Sequence, residues 1–329
     1  MKKLLLLLLV CTIAVTTLIL KEQKKEQIVL KFAYGSNSPV VRDSMAKIGE
    51  LLKEKTEGEV IIEYYPDGQL GGERELIELV QSGAIDFTKV AGAALESFSK
   101  VYSVFGLPYL FDNENHFHNV MQSEEIMNPI YNSTKELGFR GLTYYDSGQR
   151  SFYMKNKQIK SPEDLRGMKI RVMQSETAIR MIQLMGGSPT PMPNGETYTA
   201  LQQGIIDGAE SNEFAITEAR HGEVAKYYSY DEHTRVPDIV IFGNRVLDKL
   251  NEKQIKALYE AAYESTQYQK EKWGESVAKA KEQSIKDFGM IYSDVASKEE
   301  FKSLVQPLHE EFKINDGISA IYNKIINMK

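Results

Sequence analysis

Arg150 and Arg171 are the residues whose type and spacing point most directly to chemistry. They stand 21 positions apart, each in a short strand-like run, on either side of a helix-start signature. Arg150 lies in the run Asp146 to Lys155 and Arg171 in the run Met168 to Val172. Between them, Ser161 to Gly167 reads as a cap, a proline at the first helical position and a glycine stop. A guanidinium stays charged and presents a planar fork of donors that matches a carboxylate in two parallel bonds. The pair suggests an anion site, against the plainer alternative that each meets solvent or a nearby acid. Charge-assisted bonds contribute roughly 1.5 to 3 kcal/mol net each. A two-armed clamp would thus supply much of the roughly 8 to 10 kcal/mol needed for micromolar to sub-micromolar capture.

The elements that must carry these arginines alternate between strand and helix. Ile28 to Ala33 is strand-like, Val41 to Glu54 places Met45, Ile48, Leu51 and Leu52 at helical spacing, and Val60 to Tyr65 is strand-like again. A glycine-rich turn, Gly68 to Gly72, feeds a helix from Glu73 to Ser82, and Ile85 to Val90 returns as a strand. Such a βαβ pattern implies a mostly parallel sheet with helices on both faces and ligands at the strand carboxyl ends. Gly71-Gly72 lacks a following GK[ST] and GxGxxG spacing, so it reads as a tight turn and not a phosphate loop. Glu73 has two readings that stay open: a first-turn carboxylate suiting the helix dipole, or an acceptor facing a cleft. Farther on, Gly186 to Asn212 runs as a turn-rich loop, one helix, a short apolar run and a polar cluster, Glu210-Ser211-Asn212. From Asn251 to about Asp287 a proline-free stretch is helical, with Ile255, Leu258, Ala261 and Ala262 on one face. At 1.5 Å per residue it spans on the order of 50 Å. No heptad seam persists beyond Trp273, which favours packing within the chain over a coiled coil.

Composition narrows the function classes. A net charge of −6 without a basic patch argues against nucleic acid as a partner. His116-Phe-His118 has the one close histidine spacing, but i and i+2 do not share a helix face, so no metal pair is expected there. No GxSxG, HExxH or cysteine nucleophile is present, so no catalytic residue, metal or cofactor is assigned. Cys11 is the single cysteine and falls in the leading apolar run. Lys2-Lys3 followed by Leu4 to Leu20 has the positive start and apolar core of an export signal. No small-x-small cleavage site follows, which leaves cleavage, lipid attachment at Cys11 and a retained membrane anchor open. The folded part is expected outside the cytoplasm.

Four longer motifs then carry a resemblance: GQLGGERELIELVQSGAIDF at 68–87, GLPYLFDNENHF at 106–117, SPEDLRGMKIRV at 161–172 and GGSPTPMPNGETYTALQQGIIDGAES at 186–211. In this order they resemble the periplasmic solute-binding subunits of tripartite ATP-independent periplasmic (TRAP) transporters, the DctP-like family, across about residues 28–325. The resemblance implies a two-lobed α/β binding protein, most simply a monomer, that captures a small organic acid and delivers it to membrane subunits. It places lobe I at 28–148 plus 236–275 and lobe II at 149–235 plus 276–329, after an N-terminal signal or anchor at 1–27, with the long helix bracing both lobes. It assigns the carboxylate clamp to Arg171 and a second ligand arginine to Arg150. The amide contact falls on Ser211 or Asn212, with Asn212 preferred, because strict alignment puts Ser211 where the family usually has Asn. The run from Tyr230 to Pro237, with Asp231-Glu-His-Thr-Arg-Val-Pro, is similar to that of members that bind hexuronates such as glucuronate or galacturonate. A uronate would then use Glu73, Asn212 and Glu210 for its hydroxyls, with Ser36, Asn37 and Ser38 as further candidate hydroxyl contacts. Other organic acids (aldonate, dicarboxylate, sialate) and, behind them, a carbohydrate-acid enzyme are the competing readings.

Overall fold

A computed structural model describes residues 27–35 and 38–328. Ser36 and Asn37, the leading apolar run and Cys11 lie outside the described residues. β1 (Ile28–Tyr34), the helix Pro39–Lys55 and β2 (Val60–Tyr65) form a βαβ opening, with β1 and β2 parallel. That helix starts because Ser38 accepts from the Val41 amide and Pro39 occupies the first turn, where its missing N–H is harmless. Val41, Met45, Ile48 and Leu52 then recur at helical spacing and are buried against the sheet.

β3 (Phe87–Ala91) joins β1 in parallel. β4 (Phe139–Tyr145) completes that sheet with β10 (Asp238–Gly243) inserted antiparallel between β3 and β4, giving the order β2-β1-β3-β10-β4. The second sheet has the order β11-β9-β5-β8-β6-β7, from β5 (Arg150–Met154), β6 (Lys169–Val172), β7 (Ser188–Pro191), β8 (Gly208–Ser211), β9 (Tyr227–Thr234) and β11 (Ile291–Asp294). The expectation of mostly parallel sheets is met in strand direction. Among the described residues each sheet carries one reversed strand, β10 in the first and β5 in the second. These are the strands the chain enters as it crosses between sheets, at 146–149 and 235–237. Rings of Phe32, Phe87 and Phe242 stack at 5.8 and 6.2 Å in the first core; burial of each contributes about 1.5 to 3 kcal/mol.

Two local expectations change. Ser188–Pro191, read as loop, is an edge strand parallel to β6; its prolines are tolerated because an edge strand has one side without a partner needing their N–H. Pro162–Leu165, read as a helix start, closes after a single 3₁₀ turn with a Ser161/Asp164 capping box. The long helix is Glu252–Phe288, 37 residues. It packs along Pro39–Lys55 and β4 in its first part, then on Phe214–Thr217, so it braces elements of both sheets. No helix among the described residues is long and apolar enough to cross a membrane. After β11, Lys298–Ile314 lies against Glu176–Leu184 and β9, while Ser319–Asn327 packs on Glu124–Asn132.

The two crossings are bound to each other. Arg235 donates through Nε (3.1 Å) and Nη2 to the two carboxylate oxygens of Asp146. Gln269 of the long helix donates to the Asp146 carbonyl at 2.8 Å and accepts from its amide at 3.1 Å. Asp146 thereby joins both crossings and the bracing helix at one point.

Candidate functional site

A cavity of about 460 Å³ opens between the two sheets, within the range of small-molecule sites. Its second-sheet wall carries Arg150, Arg171, Ser211 and Asn212, and its first-sheet wall carries Glu73, Lys89 and Asp238, with Trp273 of the long helix at the base. Each arginine stands on a strand whose alternation turns it inward, Arg150 at the start of β5 and Arg171 in β6.

The two guanidinium groups differ in how their charge is met. Arg150, 8% exposed, donates Nε to Glu210 Oε2 at 2.5 Å, and Nη2 to Glu210 Oε1 at 3.0 Å and to the Glu210 carbonyl at 2.7 Å. Burial opposes its charge, but Glu210 more than offsets that and holds its pKa above the ordinary value. Arg171, 4% exposed, has only the Met192 carbonyl, reached by Nε at 3.1 Å and Nη2 at 2.9 Å. No described carboxylate lies within ion-pair distance of it. Burial, only partly opposed by the field of Glu210, pushes its pKa down. Neighbouring His221 adds no charge: burial and the field of Arg171 push it down to about 4. Arg171 is a desolvated cation on a cleft wall, and such a group attracts an anion strongly.

Behind Arg150 the charges alternate. Burial would raise the Glu210 carboxyl, yet Arg150 and His233 bring it down to about 2. Burial would lower His233, yet Asp231 at 2.8 Å and Glu210 at 3.4 Å lift it to about 9. β9 supplies this pair where the register slips opposite Arg150 and Phe152, with Glu232 at φ 52° in the slip, a bulge that re-aims the strand.

Of the residues singled out from sequence, Arg150, Arg171, Glu73, Ser211 and Asn212 line one cavity. Glu210 does not. It is 1% exposed behind Arg150, and its carboxylate is committed to that guanidinium and to His233, so its assignment as a hydroxyl contact is corrected. The preference for Asn212 over Ser211 also shifts. The Asn212 amide donates to the Ser147 carbonyl at 2.6 Å and its oxygen accepts from the Phe214 amide at 3.0 Å, tying β8 to the first crossing. No described residue engages the Ser211 hydroxyl. Glu73 opens the helix Glu73–Ser82 and lines the cavity, its Oε1 accepting from the Ala91 amide at 2.7 Å.

Sequence reasoning missed Lys89, Asp238 and Trp273. Lys89 Nζ meets Asp238 Oδ2 at 3.0 Å, both 7% exposed. The available signal was a charge inside each of two otherwise apolar strands. Trp273, the chain's one tryptophan, lies against Gly148 and packs on Phe214 at 5.3 Å. Away from the cleft, Glu114, His118 and Asp146 offer three ligand atoms within 4.8 Å of one another. Arg235 already binds both Asp146 oxygens and stands 3.6 Å from Glu114, so that cluster carries its own cation.

The chain is similar in sequence and fold to known proteins. An uncharacterised protein of Salmonella typhimurium, YiiZ, is 46% identical over 92% of both chains. A TRAP periplasmic solute-binding protein of Anaerococcus prevotii, solved with bound D-glucuronate, is 40% identical with a TM-score of 0.87, covering 91% of this chain and 97% of that one. One from Xanthobacter autotrophicus, with bound β-D-galacturonate, is 32% identical with a TM-score of 0.86, covering 91% and 100%. With the family's sequence profile matched over residues 32–316, the chain belongs to the DctP family, the bacterial extracellular solute-binding proteins of family 7.

Proposed function

We propose that this protein is the extracytoplasmic receptor of a TRAP-type transporter and captures a hexuronate such as glucuronate or galacturonate. The observation that carries this reading is Arg171: a buried cation on a cleft wall with no carboxylate among the described residues within ion-pair distance of it. The sugar carboxylate supplies the missing charge. Arg150, oriented by Glu210, offers Nη1 beside it, and Ser211 and Glu73 meet ring hydroxyls. Glucuronate and galacturonate in the neighbours from Anaerococcus and Xanthobacter support the ligand class.

The lobes are assigned as 28–148 with 236–275 and 149–235 with 276–329, and they close about the crossings at 146–149 and 235–237. Ligand contacts on both walls favour the closed state, since a ligand stabilises the state it touches more. The loaded protein then docks as a monomer on the membrane subunits, outside the cytoplasm. No chemistry is performed on the sugar.

The test is a thermal-shift and calorimetric screen of uronates, aldonates, dicarboxylates and sialate, with product analysis of the uronate incubations. Stabilisation by a uronate with the sugar recovered intact is the expected result. No stabilisation by any uronate, or conversion of the sugar, would overturn the reading.

A further inference from the structure

We infer that the wall opposite Arg171, built by Glu73, Lys89 and Asp238, makes the cleft selective for a monocarboxylate sugar acid over the dicarboxylate of the same carbon chain. This inference rests on the sugar-acid reading above and specifies which acids are refused.

On the second-sheet wall, Arg150 and Arg171 face the cavity with Glu210 behind Arg150, leaving one uncompensated positive charge. On the first-sheet wall, Glu73 and Asp238 stand with Lys89, leaving one uncompensated negative charge. Lys89 is not free to act as a second anion site. Its ammonium lies 3.0 Å from Asp238 on the adjacent strand, with both groups buried. Glu73 is held against the end of β3 by the Ala91 amide, and its field reaches Arg171 across the cavity. The remaining charged lining groups do not alter this balance. Asp67 and Arg74 are exposed and screened, with Arg74 paired to Glu78 at 3.2 Å, and Glu218 has Arg42 at 3.9 Å.

A molecule with one carboxylate and several hydroxyls matches both walls. Its acid end takes the open charge of Arg171, and its hydroxyls donate to Glu73 and Asp238 and accept from Lys89. A second carboxylate at the far end would face the open charge of Glu73 beside the closed Lys89–Asp238 pair in a partly desolvated space, and like-charge juxtaposition of that kind is strongly unfavourable. Glu73 thus supplies the repelling charge, and Asp238 discriminates by keeping Lys89 neutralised.

Calorimetry with D-glucuronate, D-gluconate and D-glucarate tests this. Gluconate and glucarate share an open six-carbon chain and differ only in a terminal CH2OH or carboxylate. Glucarate is expected to bind roughly tenfold or more weaker than gluconate. Glu73→Gln and, separately, Asp238→Asn each remove one negative charge from the wall and are expected to raise glucarate relative to gluconate by roughly tenfold. Glucarate binding as tightly as gluconate to the unaltered protein overturns the inference while leaving the uronate reading intact if glucuronate binds. If glucuronate binds and neither open-chain acid does, the variants decide: glucarate binding gained in either supports the inference, and none gained in both refutes it. If none of the three acids binds, the sugar-acid reading itself fails and this inference falls with it.

Discussion

Replacing each cleft arginine by methionine should have unequal consequences for the empty protein, although both replacements damage binding. Arg150 compensates Glu210, which is 1% exposed. Arg150→Met strands that carboxylate with His233 as its remaining cation, and breaking a buried pair costs about 3 to 5 kcal/mol. Arg171 pairs with no carboxylate among the described residues. Arg171→Met relieves a desolvated charge and leaves the Met192 carbonyl without its two donors. An unsatisfied buried acceptor costs about 1 to 3 kcal/mol, and the relieved charge offsets it, so the apo stability should move by less than about 2 kcal/mol. For binding, Arg171→Lys is the informative change. A fork offers two charge-assisted bonds where an ammonium offers one in the same geometry, so about 1.5 to 3 kcal/mol is lost, or roughly tenfold to 150-fold in Kd. Urea denaturation gives the stabilities, and titration of the Trp273 fluorescence, the chain's one tryptophan and a cavity residue, gives the affinities alongside calorimetry. The reasoning fails if Arg171→Lys binds glucuronate within about threefold of the unaltered protein, or if Arg171→Met destabilises the empty protein as much as Arg150→Met.

The Ser211 and Asn212 roles separate cleanly: Ser211→Ala should weaken uronate binding by about 0.5 to 1.5 kcal/mol with an unchanged melting temperature, and Asn212→Ala should lower the melting temperature by untying Ser147 and Phe214. Equal thermal effects of the two variants would contradict that division. Gly148 sits at φ +69° with its added Cβ 2.9 Å from the Trp273 ring, so Gly148→Ala should cost about 1 to 2 kcal/mol in backbone strain and also loosen ligand binding, checked by melting and titration together. The pH profile of stability carries a sign as well. His233 is lifted from 6.5 to about 9, so its contribution is complete below pH 6.5 and lost as pH rises through 9. Glu210 is lowered from 4.5 to about 2, so its contribution is complete above pH 4.5 and lost as pH falls towards 2. The His233 contribution is about 3 kcal/mol at most. Denaturation across pH 5 to 10 should show this alkaline loss in the unaltered protein and not in His233→Gln; a flat profile in both would remove the charge chain from the account.

The alternating strand and helix skeleton was legible because its signals are local. The burial period of Pro39–Lys55, the Gly72–Glu73 helix start and the long helix from Glu252 each depend on residues a few positions apart. The candidate arginines were legible too, since Arg150 and Arg171 lie on short strand-like runs, and both line the cavity. Ser188–Pro191 misled because prolines mark loops locally, and only an edge position in the finished sheet makes them acceptable in a strand.

What each arginine does was a different matter. Arg150 meets Glu210 60 positions away, and Lys89 meets Asp238 149 positions away. Both pairings exist because β5 and β10 enter their sheets in reverse, next to strands distant in sequence. Residue type and spacing alone determined that the chain holds two guanidinium forks on short strands, a residue type suited to a carboxylate. The tertiary structure decided which fork is already neutralised and which is open, because compensation of a buried charge is settled by what lies within a few ångströms, and sheet pairing sets those neighbours.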